Sequence, residues 1–252
     1  MGIIIKSDKE ITIMREAGRI VAEVLKTISQ QVKPGMTTKE MDVIAEKELK
    51  KMGATSSFNG YRGFPANLCT SINDEIVHGI PGDRAVKEGD IISLDFGAIY
   101  NGFQGDAALT VPVGEVSPEA SRLIESTREA LYSGIAAARA GATLGDVSAA
   151  IQKYAESKNY SVVREYTGHG IGRDMHEDPQ IPNYGIPGTG PVLKKGMTLA
   201  LEPMLNIGSS GTRVARDRWT VSTADGNLSA HFEHTIAITE NEPEVLTRGI
   251  YG

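Results

Sequence analysis

Four acidic residues have the types and positions of ligands to a pair of divalent metal ions. Asp95 and Asp106 lie in one apolar, strand-forming stretch, and Glu202 and Glu233 lie in two similar stretches later in the chain. Carboxylates gathered in a protein interior are too costly unless cations neutralise them. If the four converge on one cleft, they predict two metal ions, which can activate water for hydrolysis of a carbonyl or phosphoryl compound.

His169 is the candidate nitrogen ligand of this set. It lies in the segment Thr167-Gly-His-Gly-Ile-Gly172, whose glycines allow the backbone to approach a ligand closely. Four carboxylates and one imidazole suit Mn, Fe or Co better than thiolate-bound zinc. Taken one at a time, each acidic residue is more typical of a turn or a solvent-facing position, and His169 of a hydrogen-bonded loop.

The two aspartates are expected on neighbouring strands of a β-hairpin. The dipeptide Asn101-Gly102 lies between apolar runs, which is the strongest short signal for a two-residue turn. In that register Asp106 lies opposite Gly97, and Asp95 lies two residues away on the same face. The carboxylates are then diagonal neighbours and can converge on one ion. A bulge or a longer turn would remove this arrangement.

A second hairpin is expected around Asp225-Gly226. Its strands would span residues 219–223 and 228–238. Alternation along the returning strand places His231 and Glu233 on the same face. Glu233 would then correspond to Asp106, as the acidic residue on the returning strand of its half.

Four amphipathic helices are expected to flank these strands. Ser7 begins a capping-box pattern, and apolar residues at helical spacing then predict a helix over residues 8–30. A second helix follows Thr37-Thr38 and stops at Gly53. Two further helices are predicted over residues 117–139 and 144–158.

The helices and strands recur in the same order in both halves of the chain, at an offset of 106 or 107 residues. Gly-Ile-Pro-Gly occurs at 79–82 and again at 185–188, and a glycine-led apolar strand follows each copy. The first strand ends in Asp95 and the second in Glu202. This order favours an internal duplication and places the two carboxylates at equivalent positions.

The predicted fold is therefore α+β, with two pseudo-symmetric halves that share a central antiparallel sheet covered by helices. No linker separates the halves, so we expect a single domain over residues 1–252, with the repeat at about 8–113 and 117–240.

Composition excludes several other classes of protein. The 252 residues carry a formal charge of −6 without a basic block, which argues against a dedicated nucleic-acid or membrane surface. No apolar run approaches the roughly 18–20 residues that a membrane helix needs, and the N-terminus lacks the layout of a signal peptide. Cys69 is the single cysteine, so no intrachain disulfide can form and a cytoplasmic location is expected.

Seven short segments, in order along nearly the whole chain, resemble the type I methionine aminopeptidases, which have the pita-bread metallopeptidase fold. The segments are Asn67–Asn73, Val77–Pro81, Leu94-Asp95 with Gly105-Asp106, Thr167–Gly172, Met175–Glu177, Leu201–Met204 and Phe232–Thr235. The chain lacks the long insertion of type II enzymes and any cysteine-rich extension. In both respects it resembles the short bacterial type I form.

The resemblance implies a dinuclear metal centre that uses Co, Mn or Fe(II), with Zn as a further option. Asp106 and Glu233 would bridge the two metals, Asp95 would complete one coordination sphere, and His169 with Glu202 would complete the other. Glu202 would also act as the general base.

The resemblance also assigns residues that contact the substrate. His78 and His176 match the two histidines that contact its backbone and stabilise the intermediate or protonate the leaving amine. An apolar methionine pocket would be formed by Tyr61, Phe64, Cys69, Met175 and Trp219. Two pocket residues differ from the family pattern, since Phe64 stands where the family often has Tyr and Met175 where an aromatic residue is common. His231 stands where Gln is common, so its role is left open.

The implied activity is removal of the initiator methionine from nascent polypeptides with a small second residue, including the chain's own Met1-Gly2. The resemblance also implies that the protein is a monomer in the cytoplasm. Transient contact with the ribosome would fit this activity. Two alternatives stay open. One is a related aminopeptidase of other specificity, such as a proline-handling enzyme, and the other is a non-catalytic binding protein with the same fold.

Overall fold

The computed structural model describes residues 2–251. Met1 and Gly252, which belong to the predicted domain, lie outside the described residues, and so does the predicted cleavage site after Met1. Within that range the helices are Asp8–Ser29 (α1), Thr38–Lys51 (α2), Pro118–Ala137 (α3) and Leu144–Ser157 (α4), and a 3-10 helix spans Tyr61–Gly63. The strands are Thr55–Ser56 (β1), Leu68–Ile72 (β2), Glu75–Val77 (β3), Ile91–Tyr100 (β4), Phe103–Pro112 (β5), Ser161–Val162 (β6), Gly168–Gly170 (β7), Glu177–Ile181 (β8), Thr198–Leu201 (β9), Met204–Asn206 (β10), Thr212–Val214 (β11), Val221–Thr223 (β12), Ser229–His231 (β13), Glu233–Ala237 (β14) and Glu244–Val245 (β15).

All four helices lie where the sequence predicts them, to within two residues at each end. Each begins after a serine or threonine whose side chain accepts a hydrogen bond from the first turn: Ser7, Thr37, Ser117 and Thr143. Such caps satisfy backbone N–H groups that have no partner within the helix. Local sequence therefore fixes where the helices start.

The hairpin of β4 and β5 forms in the predicted register. Asn101 and Gly102 both have positive φ, 47° and 77°, as a tight two-residue turn requires. Gly97 pairs with Asp106, so the diagonal placement of Asp95 and Asp106 is confirmed. Alternate residues of β4, among them Phe96, face the core beneath the helices.

The main sheet is antiparallel and joins the two halves at its centre. Among residues 2–251 its strand order is β1-β4-β5-β14-β9-β7-β8, with β2 paired to β4 and β15 paired to β14. The seam lies between β5 and β14, where Ala108 pairs with Glu233. Thr235 of β14 reinforces it, since its hydroxyl accepts from the Asp106 N–H at 3.0 Å and donates to the Asp106 carbonyl at 2.7 Å. The predicted α+β fold with a shared central sheet is confirmed.

Corresponding loops in the two halves make the same backbone contacts. Gly35 donates to the Val86 carbonyl at 2.8 Å, and Gly141 donates to the Leu193 carbonyl at 2.9 Å. The isolated bridges also match, because Thr37 pairs with Ala85 and Thr143 pairs with Val192. The paired residues of these contacts are separated by the same offset of 106 or 107 residues that relates the two halves in the sequence.

The prediction of a second hairpin around Asp225-Gly226 is wrong. Strand β12 pairs with β11 and β3, whereas β13 pairs with β10. The Asp225 carboxylate explains the difference, since it accepts from Ser209 N–H at 2.7 Å and Asn227 N–H at 3.1 Å and so ties the turn to the loop after β10. The returning strand is also interrupted at Phe232, where the chain passes from one sheet to the other.

Helix α1 crosses the main sheet at very close range. A Cβ added at Gly105 would lie 2.9 Å from the Ala17 carbonyl carbon and 2.9 Å from the Gly18 nitrogen. The absence of a side chain at Gly105 therefore allows the helix to lie against β5 beside Asp106. No helix in the described part of the chain is long and apolar enough to cross a membrane.

We predict that Gly105→Ala lowers the free energy of unfolding by about 2 kcal/mol, because the added methyl group forces α1 away from β5. Urea denaturation would measure the change. Gly82→Ala is the matched control, since a Cβ there has nothing within 4 Å. Equal stabilities of the two variants would contradict this account of the contact.

Candidate metal centre and substrate cavity

One cavity brings together all twelve residues that the sequence assigns to a site. It has a volume of about 660 Å³ including its mouth. Its lining includes Tyr61, Phe64, Cys69, His78, Asp95, Asp106, His169, Met175, His176, Glu202, Trp219 and Glu233.

Three candidate ligands converge most tightly. Asp106, His169 and Glu233 each offer a ligand atom, and these atoms all lie within 4.8 Å of one another. Asp106 comes from β5, Glu233 begins β14, and His169 lies at the centre of β7. The sheet therefore brings the three together from separate strands.

The hydrogen bond of His169 defines which ring nitrogen is free for a metal. Its Nδ1 lies 2.9 Å from the Gly170 carbonyl, which can only accept, so Nδ1 carries the proton. Nε2 then presents a lone pair 3.8 Å from Asp106 Oδ2 and 3.6 Å from Glu202 Oε1. Burial lowers the pKa of His169 to about 3, which keeps the imidazole neutral. Three potential ligand atoms thus face one another, and a cation fits this arrangement.

The carboxylates show the same need for cations. Asp95 Oδ1, Asp106 Oδ1 and Glu233 Oε1 are buried and have no hydrogen-bond partner among the described residues. Burial raises the pKa of Asp95 to about 7. Burial, together with Glu233 and Asp95, raises the pKa of Asp106 well above its usual value, and burial with Glu202 and Asp95 does the same for Glu233. Without cations, ionisation of this group is strongly disfavoured, so the residues fit a metal pair.

Glu202 lies at the end of β9, where Pro203 interrupts the strand. Its carbonyl accepts a hydrogen bond from the Asn183 side chain at 3.0 Å, which fixes the backbone there. Burial first, and then Asp95 and Asp106, raise the pKa of the Glu202 carboxyl well above its usual value. His231 Nε2 lies 3.8 Å from Glu202 Oε2, and both ring nitrogens of His231 are buried without a hydrogen-bond partner among residues 2–251.

The backbone of Glu233 is held from behind the cavity by the C-terminal segment. The Tyr251 hydroxyl lies 3.0 Å from the carbonyls of both Glu233 and Ala108, which are cross-strand partners at the seam. The alternation predicted for this region is also observed, since His231 and Glu233 face Glu202 while Phe232 and His234 pack on Tyr251.

His78 and His176 also line the cavity. The His176 ring stacks on Tyr61 with centroids 5.4 Å apart, and its Nδ1 lies 2.8 Å from the Tyr61 hydroxyl. His78 has a positive φ of 61° and lies edge-on to Trp219 at 6.3 Å. Burial and the nearby His176 lower the pKa of His78 to about 4, and burial and then Arg62 lower that of His176.

The apolar wall is formed by side chains from three parts of the chain. Phe64 packs edge-on against Trp219 with ring centroids 5.2 Å apart. Cys69 on β2 pairs with Asp95 on β4. Cys69 and Met175 are each only 4% exposed. Burial raises the pKa of the Cys69 thiol well above its usual value, so the thiol stays neutral and contributes apolar surface.

The sequence reasoning missed two residues that line the cavity, Phe58 and Arg62. Phe58 packs edge-on against Phe64, with ring centroids 6.4 Å apart. The Arg62 guanidinium lies 5.3 Å from the centre of the Tyr61 ring. Their segment is largely irregular, so neither helical nor strand periodicity marks them, and only their closeness to Tyr61 could have drawn attention.

Comparisons with known proteins agree with this geometry. A sequence profile of metallopeptidase family M24 matches residues 12–240. The chain is 55% identical over 246 residues to methionine aminopeptidase 1 of Bacillus subtilis, covering 98% of this chain and 99% of the relative. The crystal structure of methionine aminopeptidase from Thermotoga maritima superimposes with a TM-score of 0.97 at 47% identity, over 98% of this chain and 100% of that chain.

A proline-specific relative is more distant. The prolidase of Pyrococcus furiosus superimposes with a TM-score of 0.78 at 25% identity. The match covers 98% of this chain and 66% of the prolidase. The pita-bread fold is thus common to both groups, while length and identity are closer to the methionine aminopeptidases.

The raised pKa of Asp95 predicts how the stability of the metal-free protein depends on pH. An aspartate that titrates near 7 when folded and near 3.9 when unfolded destabilises the fold as pH rises through 7. Between pH 6 and pH 8, metal-stripped protein should lose about 1 kcal/mol more unfolding free energy than metal-stripped Asp95→Asn. The buried histidines are common to both proteins, so their contribution cancels. Removing Asp95 also relieves the repulsion that raises the pKa values of Asp106, Glu202 and Glu233, which changes the pH dependence in the same direction. Parallel pH profiles in chemical denaturation would contradict the prediction.

Proposed function

The chain belongs to the M24 family of metallopeptidases, and from that membership we propose that it removes the N-terminal methionine of nascent proteins and peptides by hydrolysis of the first peptide bond. The observation that carries the proposal is the single cavity that combines a carboxylate-rich metal centre, two neutral histidines and an apolar wall. Substrates with a small second residue are preferred.

Asp95, Asp106, His169, Glu202 and Glu233 would hold two divalent metal ions. Their oxygen-rich donor set suits Co, Mn or Fe(II), with Zn as a further option. When bound, the metals lower the pKa of water and polarise the substrate carbonyl. The unpartnered carboxylate oxygens and the lone pair of His169 Nε2 support this assignment.

Glu202 acts as the general base. A base must lie within reach of the attacking water and accept its proton readily. The Glu202 carboxyl faces the proposed metal site beside His169, and burial raises its pKa, which favours the protonated product of that step. The hydrogen bond from Asn183 to the Glu202 carbonyl keeps the side chain directed into the cavity.

His78 and His176 contact the substrate backbone and stabilise the charge that develops on its carbonyl or protonate the leaving amine. A neutral imidazole has one N–H group to donate. The Tyr61 hydroxyl at Nδ1 of His176 can donate to that nitrogen, which leaves Nε2–H available for the substrate. The lowered pKa values of both histidines support neutral rings near pH 7.

The methionine side chain binds against Tyr61, Phe64, Cys69, Met175 and Trp219. An unbranched thioether fits an apolar pocket lined by aromatic rings and sulfur. The edge-on packing of Phe64 against Trp219 gives the wall a defined shape. Met175 adds a flexible side chain where the family often has a ring.

The wider setting is proposed on the same basis. The protein works in the cytoplasm as a monomer on chains that emerge from the ribosome, with transient ribosome contact and without dedicated nucleic-acid or membrane binding. We also propose that residues 1–252 form one domain built by duplication, which the matched loop contacts of the two halves support.

We predict that metal-stripped protein reloaded with Mn or Co releases methionine from Met-Gly-Met-Met, and that Glu202→Gln lowers kcat by about a hundredfold or more because the base is lost. Amino-acid analysis of the products would measure release. Pro-Gly-Met-Met is the control peptide and should not be cleaved. Release of proline would contradict the pocket assignment, and the absence of cleavage despite bound metal would favour a binding protein.

His176→Asn should lower kcat about a hundredfold, because the substrate loses a hydrogen-bond donor that stabilises the charge developing in the transition state, while metal affinity is unchanged. Steady-state kinetics and isothermal titration with Mn separate the two effects. Loss of metal binding in this variant would contradict the substrate-side role of His176.

A further inference from the structure

Lys6 and Glu177 form an ion pair that is almost completely buried, with side chains only 3% and 4% exposed. Lys6 precedes α1, and it also precedes residue 12, where the match to the metallopeptidase family begins. Glu177 follows His176 directly and begins β8. A buried ion pair is maintained only where both groups are well held, because breaking it leaves an unpaired charge inside the protein.

The Lys6 end of the pair is fixed by the backbone. The Lys6 N–H donates to the Gly196 carbonyl at 2.8 Å, and Gly196 lies just before β9, the strand that leads to Glu202. The Lys6 ammonium also donates to the Ile4 carbonyl at 3.3 Å. The segment before α1 is thereby attached to the sheet that carries the proposed metal ligands.

The Glu177 end organises a tight turn. While Oε2 pairs with Lys6, Oε1 accepts from the backbone N–H of Arg173 at 2.9 Å and of Asp174 at 3.4 Å. Gly172 completes the arrangement, since a Cβ there would overlap both the Lys6 side chain and Glu177 Oε1. The buried pair therefore fixes the turn 172–177 from within.

We propose that Lys6 is a positioning residue for this turn, holding Met175 and His176 in the substrate cavity through Glu177. Met175 lines the cavity with only 4% of its surface exposed, and the His176 ring centroid lies 4.3 Å from that of His169. A displaced turn moves a hydrogen-bond donor away from the substrate backbone. The inference rests on the proposed function for the role of His176, but the positioning itself is independent of any reaction.

Lys6→Met tests the proposal with the Mn-reloaded protein and Met-Gly-Met-Met. It leaves the Glu177 carboxylate without its buried partner, so we expect kcat to fall about tenfold or more. Because His176 acts on the transition state, the loss should appear in kcat rather than KM. Lys6→Met combined with Glu177→Gln removes both charges but keeps an acceptor for the turn, and it should restore kcat to within about threefold of the unaltered protein.

Arg15→Met is the matched control, because Arg15 makes a partly exposed ion pair between α1 and Glu244. It should lower thermal stability without changing kcat. If Lys6→Met also shows lower thermal stability with unchanged kcat, the proposal is overturned.

Amide hydrogen exchange provides a readout that needs no substrate. Lys6→Met should accelerate exchange at Arg173 and Asp174, whereas Arg15→Met should not. If the unaltered protein releases no methionine, the proposed function fails while these rates still test the role of Lys6. Unchanged exchange at both amides overturns it.

Gly172→Ala covers the case in which Lys6→Met does not fold. Its methyl group displaces the pair without changing any charge, so it should reproduce both the fall in kcat and the faster exchange at Arg173 and Asp174. Wild-type values of both quantities in folded Gly172→Ala overturn the proposal.

Discussion

The concentration of four carboxyl groups in one buried cleft is the constraint on which the rest of the structure depends. Each would be stabilised by water or a hydrogen-bond donor, yet Asp95, Asp106 and Glu233 each have a buried oxygen without a partner. Burial raises all three pKa values, and repulsion from neighbouring carboxyls raises those of Asp106 and Glu233 further. The antiparallel sheet holds this group in place, because Asp95, Asp106 and Glu233 lie on three neighbouring strands and Glu202 directly follows a fourth.

The scaffold holds the backbone of these residues more firmly than their side chains. Thr235 bonds to both backbone groups of Asp106, and Tyr251 spans the carbonyls of Glu233 and Ala108 at the seam. The strands that carry the candidate ligands are therefore fixed, while one oxygen each of Asp95, Asp106 and Glu233 has no hydrogen-bond partner among the described residues. His176 depends on a different device, since the turn that contains it is held by the buried pair of Lys6 and Glu177.

Sequence reasoning succeeded where a short segment contains all the information. Helix caps and the Asn101-Gly102 turn are local, so the helix bounds and the register that aligns Asp106 with Gly97 follow from neighbouring residues. It failed at Asp225-Gly226, which has the same local pattern as the first turn. There the Asp225 side chain bonds to Ser209, a distant residue, and the strands on either side join different sheets.

The sequence by itself determined the ligand types, the four helices and the first hairpin, because each depends on residue chemistry or on contacts within a few positions. Only the tertiary structure decided how β5 and β14 meet, which nitrogen of His169 is free, and which distant segments line the cavity. Phe58 and Lys6 show the limit most clearly. Their partners are set by the path of the whole chain, and no periodic pattern around either residue encodes that path.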